Sequence, residues 1–301
     1  MSARRSVWSS ASLASGFAHR LFYHAIQLAG RPLAYAMLFF VVVFYTLRPD
    51  VRKRSRDYRL RRFGKRSFVQ SLLDCFRLQL EFGKMLVDRA VMGITGDFEM
   101  TATAEDRERM TELAGMGRGL VLVTGHVGCW QLGMSFLDHI DAPKAVVMYR
   151  DVRDVDRHYF EFGESGGPSF DIIDPTSPMG GTLQMLEVLK RGGVLCVMGD
   201  RPFGSDRGTV GVEFLGGTVR MPIGAFKLAS SLQVPVVVTF SCRTGSGCGR
   251  IWVSKVIDLP ERLGREPEAY RPYAQMLADG LGEFVETYPW QFYNFFNMWD
   301  E

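Results

Sequence analysis

The sequence predicts an α/β domain, a mostly parallel central sheet flanked by helices, with an N-terminal membrane-associated helix ahead of it. Three observations carry that expectation. Continuous apolar, β-branched runs such as Leu120-Val121-Leu122-Val123, set behind a Gly, read as strands buried on both faces. Between Gly119 and Leu232 such runs alternate with segments of helical periodicity, the pattern of parallel strands joined by crossover helices. Ahead of them, Pro32 to Leu47 is wholly uncharged and rich in Leu, Phe and Val.

That apolar segment is shorter than the roughly 20 residues that cross a bilayer. Extending it back to Leu21 supplies the length but brings in His24, Gln27 and the Gly30-Arg31-Pro32 break, so a tilted span and an interfacial helix are both open. No convincing small-residue cleavage site follows the first twenty residues, so no cleaved signal is expected. A basic cluster comes next: Arg48, Arg52, Lys53, Arg54, Arg56, Arg59, Arg61 and Arg62, opposed by Asp50 and Asp57. Basic residues abutting an apolar helix suit an anionic phospholipid surface on the cytoplasmic side. Nucleic acid is not expected, because no recognition motif accompanies the cluster. The organisation expected is a membrane-associated helix and basic segment over 1–62 and the α/β domain over 63–301.

In chain order, Ser67 to Met92 reads as a long amphipathic helix with Phe68, Leu72, Phe76 and Leu80 on one stripe. Thr103 with Asp106 suggests a capped polar helix ending near Gly115 and Gly117. Gly119 to Thr124 is the first core strand, and Trp130, Met134, Phe136 and Leu137 predict a helix after it. Strands are expected at Ala145 to Tyr149, Val194 to Met198 and Pro235 to Ser241, and helices at Leu183 to Lys190 and Ala225 to Leu232. Ile251 to Ile257 should add an antiparallel edge, and Tyr270 to Tyr288 a last helix. A composition of 47% hydrophobic and 23% charged residues with a net charge of +3 fits one globular domain. The cysteines (Cys75, Cys129, Cys196, Cys242 and Cys248) form no C-x-x-C pair and no His stands at ligand spacing, which predicts neither zinc site, disulfide framework nor cofactor and fits a reducing compartment.

His126 sits where the first core strand ends and a helix begins, flanked by Gly125 and Gly128. Ligands of such sheets lie beyond the carboxyl ends of the strands, so Arg150, Asp200 and Arg201, which follow the second and third core strands, should share one crevice with it. The segment Gly125-His126-Val127-Gly128-Cys129-Trp130-Gln131 resembles the signature of the glycerolipid and lipid A acyltransferase superfamily. The branch that adds late acyl chains to lipid A, with its lauroyl and myristoyl transferases, writes this approximately as G-H-x-G-N-W-E. Tyr149-Arg150, Gly199-Asp200-Arg201-Pro202-Phe203-Gly204 and Phe214-Leu215-Gly216 resemble its later blocks, and Tyr288-Pro289-Trp290-Gln291 its C-terminal one. The likeness runs from about Phe17 to the end. Cys129 departs from the pattern, and so does Gln131, which stands in place of the acid.

The resemblance implies a membrane enzyme of lipid A or other lipid biosynthesis, at the bacterial inner membrane with its domain on the cytoplasmic side. It would move a fatty acyl group from acyl carrier protein or a coenzyme A thioester to a hydroxyl of a membrane lipid acceptor. His126 would be the general base, with Gln131 or Asp200 behind its ring, and Arg150, Arg201, Gly128, Trp130 and Phe203 would contact substrate. A non-catalytic lipid-binding relative is the alternative that Gln131 raises. Gly163-Glu164-Ser165-Gly166-Gly167 also matches the G-x-S-x-G elbow of serine hydrolases, but Pro168 spoils the helix that must follow and no His comes after Ser165. A Cys129 nucleophile beside His126 has no third group in the sequence to orient it.

Overall fold

The computed structural model describes residues 16–149, 170–202, 208–261 and 263–300, with side chains from Arg20 onward. Arg150, Ser165 and Phe203 lie outside the described residues. The helices are α1 (Gly16–Leu47), α2 (Pro49–Arg54), α3 (Arg56–Phe63), α4 (Phe68–Thr95), α5 (Ala104–Gly115), α6 (Trp130–Gly133), α7 (Thr182–Lys190), α8 (Gly224–Leu232) and α9 (Arg271–Thr287). The strands are β1 (Glu99–Thr101), β2 (Leu120–Thr124), β3 (Lys144–Val147), β4 (Asp171–Ile173), β5 (Val194–Met198), β6 (Thr209–Phe214), β7 (Gly217–Pro222), β8 (Val236–Gly245) and β9 (Cys248–Ile257).

A 7-stranded sheet in the order β1-β9-β8-β2-β5-β3-β4 forms the centre. Strands β8, β2, β5, β3 and β4 run parallel, β9 is antiparallel to β8, and β1 runs parallel to β9. The fold is the α/β architecture the alternating pattern predicts. One expectation is corrected: β9 is not the edge, because Glu99–Thr101 adds β1 on its outer side. Three residues that alternate exposed, half-buried and exposed leave too short a pattern to read as a strand.

Alternation along each strand divides the core into two layers. Val121, Val123, Leu195, Val236 and Val238 face the layer that holds α8 and α9. Leu120, Leu122, Cys196 and Val237 face α5 and the segment after α6. That segment differs from the continuous helix expected. A single α-helical turn, α6, passes into a 3-10 turn at Met134–Leu137. At the junction Gly133 is pressed against β9 and β8, its Cβ direction meeting Ile251 Cδ1 at 3.2 Å, so backbone rather than a side chain fills the space.

Strands β6 and β7 make a separate antiparallel hairpin. Leu215 (φ 48°) and Gly216 (φ 70°) form its two-residue turn, the positive-φ geometry that matches strand twist. At the other end of the chain, α1 bends at Gly30 (φ 67°) beside Pro32 and lies along α4. Ile26, Ala34, Leu38 and Val42 pack there on Val87 and Val91. The fit is close enough that a Cβ on Gly83 would fall within 2.4 Å of Leu38 Cδ1.

Candidate active site

Strand register assembles the centre of the site. Thr124 pairs with Met198 at the carboxyl ends of β2 and β5, and the Gly199 N–H donates to the Thr124 carbonyl at 2.8 Å. The residues two places further on each strand, His126 and Asp200, are therefore brought side by side. His126 Nδ1 lies 2.8 Å from Asp200 Oδ1, and the His126 backbone N–H donates to Oδ2 at 2.9 Å. Asp200 is fully buried, whereas the His126 side chain keeps 20% of its surface exposed. A Cβ on Gly125 would meet Leu281 Cδ2 at 2.8 Å and Asp200 Cβ at 3.4 Å, so glycine there lets the two strand ends close.

The C-terminal strap completes the wall. Gly128 donates to the Gln291 carbonyl at 2.8 Å, Val127 bridges Phe292, and Tyr293 donates to the His126 carbonyl at 2.9 Å. Gly128 has φ +59°, and a Cβ there would lie 1.5 Å from the Ser241 carbonyl oxygen, so no other residue fits. Asn294 Nδ2 then donates to Asp200 Oδ2 at 2.7 Å, while its Oδ1 accepts from Arg201 Nη1 at 3.4 Å. Asn294 is a member of the constellation that sequence reasoning missed. Its signal was present: it and Gln291 are the polar positions in an otherwise aromatic run, and both are buried and bonded.

Burial lowers the His126 pKa below the usual imidazole range; the Asp200 charge opposes that and the Arg201 charge adds to it. Burial alone would raise the Asp200 carboxyl, but His126, with its charge and its hydrogen bonds, and Arg201 hold it well below the usual carboxylate range. Arg201 is pushed down to about 10 by burial, which Asp200 partly offsets. Asp200 is thus ionised and the ring neutral at neutral pH. An ionised partner at Nδ1 requires the Nδ1–H tautomer, which leaves the Nε2 lone pair as the proton acceptor.

Gln131 is placed elsewhere. It is buried on α6, and its Oε1 accepts a hydrogen bond from Arg89 Nη1 on α4. The carboxylate beside His126 is therefore Asp200, and the neutral residue at the acid's position sits against a buried guanidinium. Arg89 is the second residue the sequence reading missed, hidden in a helix whose apolar stripe was all that periodicity revealed. Trp130 stands edge-on to His126, ring centroids 6.5 Å apart. It also lines an apolar cavity of about 30 Å³ with Met134, Leu137, Met198 and Ile251. Cys129 is buried with its thiol pushed up to about 12 by desolvation, the reverse of an activated nucleophile. No cluster of His, Cys, Asp and Glu suited to a metal ion occurs among the described residues.

A parallel sheet that holds an imidazole and a carboxylate at adjoining strand ends defines an α/β protein with a His–Asp pair at the carboxyl edge of its sheet. The chain belongs to the bacterial lipid A biosynthesis acyltransferase family, whose sequence pattern matches residues 73–301. It is accordingly an acyltransferase of lipid substrates. Among solved structures it is similar to the 1-acyl-sn-glycerophosphate acyltransferase of Thermotoga maritima, at 12% identity over 95% of this chain and 98% of that one, with a TM-score of 0.38. No curated protein matches the chain significantly.

Proposed function

We propose that His126 is the general base of acyl transfer from a thioester to a lipid hydroxyl. The observation that supports it is the Nδ1 contact to buried Asp200, which leaves Nε2 as the ring nitrogen not engaged by the carboxylate on a side chain that keeps 20% of its surface exposed. Nε2 takes the acceptor's hydroxyl proton as its oxygen attacks the thioester carbonyl, giving a tetrahedral oxyanion. Collapse breaks the carbon–sulfur bond, and the imidazolium returns the proton to the departing sulfur. Ester and free thiol result, with no net proton consumed. Asp200 holds the ring tautomer and stabilises the imidazolium, and Arg201 is the cation in reach of a developing oxyanion or a phosphate. Acyl carrier protein or coenzyme A supplies the donor, and Arg150 and Phe203 complete the substrate contacts. Because Asp200 fills the role that Gln131 lacks, the catalytic reading outranks the non-catalytic one.

The protein acts at the inner membrane from the cytoplasmic side. Arg20–Leu47 is long and apolar enough to cross a bilayer, but its inner face is fastened to α4. Arg31 pairs with Asp88 at 2.8 Å, and Tyr35 donates to the same carboxylate at 2.6 Å. Arg243 of β8 reaches Asp88 at 2.6 Å and Glu81 at 2.8 Å. The outer face exposes Leu28, Phe40, Phe44 and Leu47, and α4 exposes Phe68, Val69 and Leu73. These features favour the two helices lying in one leaflet over a span. Incubation of the protein with acyl thioesters and membrane lipids, followed by thiol release and lipid mass spectrometry, tests the reaction. Thiol release that persists undiminished in His126→Ala would sink the proposed role.

A further inference from the structure

At the junction of α2, α3 and the start of α4 the surface folds into a concave pocket of about 590 Å³. Arg52, Lys53, Arg56, Arg59, Lys65 and Arg66 line it, against the single carboxylate of Asp74. Asp74 is already paired with Arg66 at 3.2 Å. Among the described residues, Lys53, Arg56 and Lys65 have no acceptor for their side chains, and all three are exposed.

The floor is built rather than accidental. Arg59 is 7% exposed and bolts the three helices together, donating to Ser55 Oγ at 3.1 Å, to Ser71 Oγ at 2.6 Å and its carbonyl at 2.8 Å, and to the Arg52 carbonyl at 2.9 Å. Every one of those acceptors is neutral. A buried guanidinium hydrogen-bonded to neutral oxygens, beside three exposed cations and one carboxylate, leaves the pocket with a net positive charge that suits an anion. The pocket is separate from the His126 crevice. Tyr58 of α3 stacks on Phe292 of the strap at 4.4 Å, whereas Arg56 and Leu60 sit on roughly the opposite side of that helix and line the pocket.

We propose that this pocket is a phosphate site for the headgroup of an anionic membrane lipid, distinct from the catalytic centre. Its location decides the source of the phosphate. Phe68 is both part of the lining and 73% exposed, and Val69 and Leu73 continue the apolar surface of α4. Pro49, also in the lining, follows the exposed end of α1 at Leu47. A headgroup in the pocket therefore has acyl-compatible surface beside it, which a free phosphate would not use. The proposal rests on membrane association but not on the assignment of His126.

The test is flotation of the full-length protein with vesicles of pure phosphatidylcholine and with vesicles containing one-fifth phosphatidylglycerol. Binding to phosphatidylcholine reads the apolar surface, and the gain from phosphatidylglycerol reads the pocket. The combined variant Lys53→Gln/Arg56→Gln/Lys65→Gln should lose most of that gain, at least about tenfold in affinity, since each basic residue at an anionic surface contributes roughly fivefold. The equal-charge control Arg109→Gln/Lys190→Gln/Lys255→Gln should keep it. Inorganic phosphate at millimolar concentration should compete only weakly. If the control loses as much as the pocket variant, diffuse charge is responsible and the site is wrong. If the pocket variant keeps the gain but loses affinity for acidic acyl carrier protein, the pocket docks a protein and the proposal is overturned. Absence of binding to either vesicle by the wild type would instead sink the membrane reading.

Discussion

Asp200 grips His126 twice, with Oδ1 at 2.8 Å from Nδ1 of the ring and Oδ2 at 2.9 Å from the backbone nitrogen. One carboxylate thus fixes both the side chain and the turn that carries it. Removing the imidazole with His126→Ala should abolish thiol release. Asp200→Asn should lower kcat by roughly 10³–10⁴, the scale seen for the neutral swap in the serine protease triad, which is the established example of this effect. Circular dichroism of both variants checks that the fold survives.

The pH dependence has a sign that can be worked out. With His126 as the proposed base, the neutral ring is the active form, so kcat should fall with acid only below the usual imidazole range, because burial lowers the His126 pKa. The Asp200 charge raises that pKa and the Arg201 charge lowers it. The acidic limb should therefore move to lower pH in Asp200→Asn and to higher pH in Arg201→Ala, whose KM should also rise. Stability follows the same groups. Asp200, depressed when folded, contributes stability above its unfolded pKa and loses it as pH falls through the folded one; neutral buried His126 is destabilising once pH drops below about 6.5. Urea unfolding between pH 7 and 4 should show a falling midpoint. Limbs that move in the same direction in the two variants would contradict the assignment.

Asn294 is a positioning residue, acting on the ring through Asp200 Oδ2 at 2.7 Å. A hydrogen bond to a charged group contributes about 1.5–3 kcal/mol, so Asn294→Ala should lower kcat by about ten- to a hundredfold if that energy serves the ring's orientation. A purely structural role would cost melting temperature alone.

Gln131 yields a stability prediction where the sequence suggested a rate prediction. Its oxygen accepts from buried Arg89, so Gln131→Glu places a carboxylate against a guanidinium rather than beside the imidazole. With Asp200 already beside the imidazole, kcat should be nearly unchanged. Gln131→Leu should be strongly destabilising, by about 1–3 kcal/mol, because the buried donor loses an acceptor. A large gain in turnover for Gln131→Glu would show instead that the motif acid is still needed here.

Strands β2 and β5 were legible because burial on both faces leaves an uninterrupted apolar run, and the glycines after them marked where His126 and Asp200 would stand. The partnership of these two residues was legible only as a candidate, since a sequence does not state register. Pairing Thr124 with Met198 is what converts two strand ends into one site. Hairpin β6–β7 was overlooked because Phe214-Leu215-Gly216 was read as a motif rather than a turn, although Gly216 and Gly217 are adjacent. Arg89 and Asn294 escaped for another reason. Each is a polar residue in an apolar context, and its purpose lies in a partner 42 or 94 positions away.

The N-terminal helix gives the last prediction, and the structure changes how it must be tested. Deleting Met1 to Leu47 would be the obvious release from the membrane, yet α1 covers Val87 and Val91 of α4 and brings Arg31 and Tyr35 to buried Asp88. Truncation strips that cover and leaves Asp88 and Arg243 without those partners, so the shortened protein should aggregate and pellet whether or not lipid is present. Substitutions on the outward face avoid this. Phe40 and Phe44 are 72% and 60% exposed and lie outside the apolar cluster that joins α1 to α4, so Phe40→Ser with Phe44→Ser should leave the melting temperature within about 1 °C. Each buried Phe is worth about 1.5–3 kcal/mol, so affinity for phosphatidylcholine vesicles should fall by two orders of magnitude or more. The proposed arrangement in one leaflet would keep both chain ends on the same side. A tag at Met1 and one at Glu301 should therefore be digested together by protease added to the cytoplasmic face, and protection of the N-terminal tag alone would mean that α1 leaves α4 and crosses the bilayer.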